Sequence, residues 1–249
     1  MEQSTKNDQK TLRSIQSKFK KALSDYRLIE NEDHILIGLS GGKDSLALVE
    51  LLGERMKIRV PGFKLTAVHI SVENIPYESD LVYLKEHTNQ FGIPFVHHIT
   101  RFDNSTNTNK STCFLCSWHR RKALFEIAVE LGCNKIALGH HLDDIAETLL
   151  LNLIYQGSFG SMPPKLKLNK FDMEIIRPLA LITEAEMKEF ERIRDYQKQI
   201  KNCPHEKDSS RREAKKLIAE LEKLNPTVRQ NIWAAMENIK TDYLPKKVK

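Results

Sequence analysis

No apolar run in this chain of 249 residues reaches the ~18 residues that a membrane-crossing helix needs. The densest stretch, Thr148 to Tyr155, is broken by Asn152. The amino-terminal stretch has no apolar signal region and is polar and basic. The expectation is a cytoplasmic protein with no membrane association. Cysteine is scarce: four residues are too few for a disulfide scaffold of this size, and closely spaced pairs in a cytosolic chain point to metal or redox chemistry instead. Charge of one sign does not dominate. Thirty-nine Lys and Arg against 33 Asp and Glu leave +6, which alone does not argue for nucleic-acid binding. Internal repeats and low-complexity segments are absent as well. Hydrophobic residues make up 40%, enough for a core, which excludes wholesale disorder.

The spacing of apolar residues organises the chain. Leu12, Ile15, Phe19, Leu23 and Tyr26 recur every three or four positions, which predicts a helix within a basic segment 1–30. That helix either packs on the main domain or serves as an RNA-facing arm. Strands are predicted at His34–Leu39, Leu65–Ser71, Phe95–Ile99 and Lys135–Leu138. Helices are predicted from the glycine turn to about Met56 and at Leu81–Phe91, Trp118–Leu131 and Leu142–Tyr155. Alternation of this kind implies a parallel sheet with crossover helices, an α/β fold, over residues 31–180. Arg101–Thr112 is a polar loop, long enough to be functional rather than idle. Phe171–Ile176 is a further strand or hairpin. Residues 181–249 are charged and helical, interrupted at Cys203-Pro204 and Asn225-Pro226.

Ser40-Gly41-Gly42-Lys43-Asp44-Ser45 lies between the first strand and the first crossover helix. Two glycines let successive N–H groups curl into one concavity, and the helix start adds unpaired N–H groups and its positive dipole end. The Ser40 and Ser45 hydroxyls and the Lys43 ammonium are further donors. The result is a phosphate cradle. It is not a Walker loop, which requires glycine five residues before Gly42, where Ile37 stands.

After the fourth strand comes Gly139-His140-His141-Leu142-Asp143-Asp144-Ile145-Ala146-Glu147-Thr148. Asp143 and Asp144 fall at the carboxyl edge of the sheet, where such folds place ligands. Adjacent carboxylates beside a bound phosphate suggest magnesium. SGGKDS resembles the PP-loop of the ATP pyrophosphatase superfamily, and GHHLDDIAET resembles the GHHxDDxxET signature of its tRNA-modifying members.

Cys113-Phe114-Leu115-Cys116 is a CxxC, and Cys203 follows far downstream. By chemistry alone these fit zinc, an iron–sulfur cluster or a redox dithiol. With His205 they would also make a tetrahedral zinc set. Cys133, at a predicted helix end, reads as a buried structural thiol.

The order SGGKDS, CxxC with Arg120-Arg121, GHHxDD, Met162-Pro163-Pro164-Lys165, Arg177-Pro178-Leu179 and a late Cys203 resembles the tRNA 2-thiocytidine synthetases. The resemblance implies a Rossmann-like adenine nucleotide alpha hydrolase sheet. It implies a [4Fe-4S] cluster held by Cys113, Cys116 and Cys203, with one iron lacking a protein ligand. It also implies ATP as co-substrate and magnesium at Asp143 and Asp144. ATP binding falls to Ser40, Gly41, Gly42, Lys43, Asp44, Ser45, Gly139 and Asp144. Asp143, Lys43 and Arg120 become catalytic candidates, Arg120 as a cation at the reacting oxygen. The implied reaction is 2-thiolation of tRNA cytidine, at position 32, through an adenylated C2 oxygen. Implied partners are tRNA, a sulfur donor such as a cysteine desulfurase, and a second copy in a homodimer.

From Asn104 to Phe125 there is no acid but Lys110, Arg120, Arg121 and Lys122, a charge pattern suited to an RNA backbone or an anionic cluster. Arg211, Arg212, Lys215, Lys216, Lys246, Lys247 and Lys249 add positive charge further on. Trp118 is expected in the core, with base stacking as its other role. Two rivals stand beside the thiolase: a lysidine synthetase-like PP-loop ligase, against which the cysteines argue, and a noncatalytic RNA protein binding nucleotide and zinc.

Overall fold

The computed structural model describes residues 5–73, 75, 79–101, 112–169, 172–199 and 210–245. Their order is α1 (Lys6–Asp25), β1 (His34–Gly38), α2 (Lys43–Met56), β2 (Lys64–Val72), α3 (Leu81–Asn89), β3 (Phe95–Thr100), α4 (Thr112–Glu130), β4 (Lys135–Ala137), α5 (Leu142–Gln156), β5 (Lys165–Lys167), β6 (Glu174–Ile176), α6 (Glu184–Arg194), α7 (Ser210–Leu224) and α8 (Val228–Glu237). They fall into two compact units, Met1–His141 with Pro163–Asp208 and Leu142–Met162 with Ser209–Lys249. The predicted α/β fold is the observed one.

The first unit holds one six-stranded sheet in the order β3-β2-β1-β4-β6-β5. All pairings are parallel except β5 with β6. The central strands read as short apolar runs because both faces are covered: Ile35, Leu36 and Ile37 of β1 and Ile136 and Ala137 of β4 are wholly buried. Strand order reverses between β1 and β4. In open α/β sheets the crevice outside the carboxyl ends at such a point takes the ligand.

Helix α1 packs on this unit. Ile15, Phe19 and Leu23 join the main core, with Leu12 and Tyr26 against it, and Lys18 pairs with Glu186 at 2.7 Å. The packed alternative for the amino-terminal helix is therefore the observed one. At the amino end of the sheet, Lys135 is buried and meets Asp33 at 2.8 Å, Glu30 at 3.2 Å and Glu174 at 3.4 Å. A buried ammonium persists when it is paired this way.

Two expectations are corrected. The CxxC does not precede its helix but forms the opening of α4, which starts six residues before the expected Trp118. The apolar Leu115 draws that turn inward, onto Val72 and Ile75. Trp118 is not core: it is 46% exposed. At 100° per residue it falls on the side of α4 opposite Leu124 and Ile127, which face the sheet. Most of the Arg101–Thr112 loop lies outside the described residues, as do Cys203, Pro204 and His205.

The second unit is built from α5, α7 and α8. Ala214 and Ile218 of α7 are buried in it. No described helix is long and apolar enough to cross a membrane.

Candidate functional site

The phosphate cradle forms where β1 ends. Leu39 N–H donates to the Val68 carbonyl at 2.9 Å, so the strand is still paired one residue before the turn. Gly41 then takes φ +81°, a left-handed conformation that glycine adopts without a steric penalty. Gly42 caps α2 without any side-chain bond, which leaves the helix start to its own N–H groups and dipole. Ser45 Oγ donates to the Gly42 carbonyl at 2.8 Å, and Ser40 Oγ donates to Ser45 Oγ at 3.2 Å. The turn is thus braced from within. Lys43 Nζ lies 2.9 Å from Asp44 Oδ2.

Gly139, just past β4, fits closely against this turn. A Cβ there would stand 3.1 Å from the Asp44 carbonyl carbon and 3.2 Å from Ser45 N. Both neighbours are backbone, so a larger residue would have to displace the start of α2. Beside the turn lies a cavity of about 270 Å³, lined in part by Gly41, Gly42 and Lys43 and in part by Tyr196 to Gln199.

Helix α4 brings the cysteines and Arg120 to one stripe. Cys113, Cys116, Arg120, Leu124 and Ile127 recur at spacings of three and four, one face of a helix, and Leu124 and Ile127 fix that face as the sheet side. Cys113 is exposed and Cys116 half-buried, the latter against Leu115, Val72 and Ile75. Cys133 differs: it is buried, and burial pushes its thiol up to about 11. It stays a protonated structural thiol, as its position suggested.

His69 of β2 is also buried and holds the Leu39 carbonyl through Nδ1 at 2.7 Å. Burial lowers its affinity for a proton, and the nearby charge of Arg120 lowers it further. The Arg120 charge is therefore felt at His69, the side chain bonded to the Leu39 carbonyl. Arg121 and Lys122 lie on the same helix; Lys122 Nζ is 5.8 Å from the Trp118 ring centroid.

In the second unit, Asp143, Asp144 and Glu147 stand on the first turns of α5. Asp143 is buried and accepts from Arg229 Nε at 2.5 Å. Arg229 also pairs with Glu222. Asp144 Oδ1 lies 4.0 Å from Arg211. Burial pushes the Glu147 carboxyl up to about 7, with Asp144 and Asp143 reinforcing the shift and Lys215 and Arg211 opposing it.

The sign follows. A carboxyl whose folded value exceeds its ordinary 4.5 favours the folded state below that ordinary value, and this contribution is lost as pH rises through about 7. Glu147→Gln in a chelating buffer is expected to gain stability over the native chain as pH climbs from 4.5 to 7. The gain should level off above that range at about 3 kcal/mol or less. Denaturant melts across that range check it. A gap independent of pH would mean that Glu147 does not titrate there.

The structure brings together Ser40 to Ser45 with Gly139, and Cys113 with Cys116 and Arg120. It places Asp143 and Asp144 on one helix turn. The third expected cluster ligand, Cys203, is not among the described residues; among those, no group of three or more His, Cys, Asp or Glu forms a metal-holding cluster. The thiolate pair suits iron or another soft metal, and the carboxylate pair suits a hard cation. Arg229, His69 and Gln199 were not anticipated. Arg229 meets Asp143 from 86 positions away, and no local motif marks such a pairing.

Residues 11–215 match the PP-loop domain family. The chain is 35% identical over 243 residues to the tRNA-cytidine(32) 2-sulfurtransferase of Geobacter sulfurreducens, covering 93% of this chain and 92% of the relative. It is 36% identical over 245 residues to the enzyme of that name from Burkholderia multivorans, covering 95% and 72%. Among solved structures it resembles the U34-tRNA thiolase NcsA from Methanococcus maripaludis with its [4Fe-4S] cluster. That match has a TM-score of 0.76 and 26% identity, covering 97% of this chain and 82% of the other.

Proposed function

Because the chain belongs to the PP-loop family and, within it, to the tRNA-cytidine 2-sulfurtransferases, we propose that it is an ATP-dependent tRNA thiolase that replaces the C2 oxygen of cytidine 32 with sulfur. The observation that carries the reading is the conjunction, in one unit, of a braced phosphate turn and a helix that puts two cysteines and an arginine on a single sheet-facing stripe.

The chain's own residues divide the work. The turn Ser40–Ser45 and the start of α2 bind the polyphosphate of ATP through N–H groups and Lys43, with the Ser40 and Ser45 hydroxyls bracing the turn. Gly139 keeps room for that turn. With the polyphosphate held, the C2 oxygen of cytidine attacks the α phosphorus and pyrophosphate departs. The oxygen is thereby made a leaving group, and AMP carries it away when sulfur takes its place. Lys43 offsets charge that grows on the phosphates, and Arg120 offsets charge near the reacting oxygen. Asp143 and Asp144 supply oxygen ligands for magnesium, which at Asp143 would take the place of the Arg229 guanidinium.

Cys113, Cys116 and Cys203 would hold a [4Fe-4S] cluster. When bound, it supplies a Lewis-acidic iron free to carry sulfur. Arg120, Arg121 and Lys122 put positive charge beside that anionic centre and offer contacts to an RNA backbone. Trp118, exposed on the outer side of α4, is available to stack a base. We place the enzyme in the cytoplasm, as a homodimer supplied with sulfur by a donor such as a cysteine desulfurase.

Nucleoside mass spectrometry tests the reading. Anaerobically prepared protein with ATP, magnesium, sulfide and unmodified tRNA is expected to give 2-thiocytidine, with one AMP formed per thiolated base. Lysidine, or no sulfur in the tRNA despite AMP release, would remove the thiolase assignment.

A further inference from the structure

The segment after α6 is pinned across the phosphate turn. Asp195 takes a left-handed conformation at the end of α6 and turns the chain back. Tyr196 Oη donates to Glu50 Oε2 at 2.7 Å. Gln197 donates through its backbone N–H to Tyr83 Oη at 3.2 Å and through Nε2 to Asp80 Oδ2 at 3.0 Å. Gln199 follows, and its Cγ stands 2.9 Å from where a Cβ would sit on Gly41.

The orientation of the Gln199 carboxamide is fixed by chemistry. Asp80 N–H donates to it at 2.7 Å. Only the oxygen end can face that donor, so the NH₂ end is turned the other way. There Nε2 is buried and has no hydrogen-bond partner. Buried amide donors are normally satisfied, and one that is not asks for an explanation. The cavity that Gln199 lines supplies one, reached when the carboxamide turns its NH₂ end out to a ligand held there. Gly41 and Gly42 contribute the helix-start N–H groups, and Lys43 its ammonium, all of them donors suited to an anion. Asp44 and Glu191 also line it, but Asp44 is paired with Lys43 at 2.9 Å.

We infer that Gln199 is a nucleotide-binding residue, whose Nε2 donates to the pyrophosphate moiety of ATP held in the phosphate turn. The inference rests on the reading of that turn given above. Gln199 lies in a stretch with no motif of its own, and its role comes from the brace at Asp80 and the contact with Gly41.

Calorimetric titration with magnesium pyrophosphate and, separately, with AMP tests it in the full chain. Gln199→Glu keeps an oxygen for Asp80 N–H but replaces the donor with a second oxygen. Pyrophosphate affinity is expected to fall at least ~10-fold, the scale of one lost hydrogen bond to a charged group. AMP affinity should change by less than about twofold, because AMP lacks the groups this donor reads. Gln199→Met, which removes the donor without adding charge, should shift pyrophosphate in the same direction and serves if the Glu variant does not fold. Pyrophosphate binding equal to that of the native chain in the folded variants would overturn the inference alone. So would parallel losses for both ligands, which would make Gln199 a general brace of the turn. Failure of the native chain to bind pyrophosphate would overturn the phosphate-turn reading, and the inference with it.

Discussion

Cys116→Ala, isolated without oxygen and reconstituted with iron and sulfide, is expected to hold at least ~10-fold less iron than the native chain and to form no detectable 2-thiocytidine. Cys113→Ala should behave the same way, because the two thiols lie one turn apart on the same stripe of α4. The contrast is Cys133→Ala. That thiol is buried, and burial pushes it up to about 11, so it is neither ionised nor presented. Its loss should cost about 1 kcal/mol of stability through missing contacts and leave iron and thiolation unchanged. Iron per chain, the visible absorbance of the cluster and nucleoside analysis are the readouts. Full iron in Cys116→Ala would remove the α4 pair from the centre. ATP binding, which belongs to a separate turn of the same unit, should survive in all three variants.

Asp143→Asn is expected to reduce AMP and pyrophosphate release at least ~100-fold, the usual scale for loss of one well-placed charged group in a transition state. An amide presents a weaker ligand than a carboxylate to a hard cation. The native carboxylate is also buried against Arg229 at 2.5 Å, so the change has a second consequence. It weakens a charge-assisted bond and costs about 1.5–3 kcal/mol of stability. Arg229 keeps Glu222 as a partner, which limits the damage to the second unit. Iron content should be that of the native chain, since the cysteines of α4 are in the first. A rate within a few-fold of native, measured with the protein verified as folded, would detach Asp143 from the chemistry and leave its pairing with Arg229 as its role.

Much of this was readable from the chain. β1 and β4 are buried on both faces, and His34–Leu39 and Lys135–Leu138 accordingly read as short apolar runs. The cradle was readable because its chemistry is local: two glycines, a strand before and a helix after. Local pattern misled at α4. The sequence reads as a helix that begins only at Trp118, whereas Leu115 seats on Val72 and Ile75, residues far away in sequence, and the helix opens at Thr112. Trp118 went the same way: an aromatic residue in a helix reads as core, and only the rotation fixed by Leu124 and Ile127 turns it outward. Arg229 and Gln199 matter through partners distant in the chain, Asp143 and Asp80, and nothing in their own neighbourhoods announces them.

The second unit is not one stretch of polypeptide. It is made from Leu142–Met162 and Ser209–Lys249, with Pro163–Asp208 returned to the first unit between them. Cutting the chain after Asp208 would therefore not release a separable domain. It would leave α5 in place without the helices it packs on, stripping Asp143 of Arg229 and baring Leu150 and Ile154, which share an apolar groove with Leu217 and Leu221. A shortened protein of that kind should come out of cells as insoluble material even though its sheet and phosphate turn are intact. Protein engineers who want the sheet alone would need to excise α5 as well, joining His141 to Pro163.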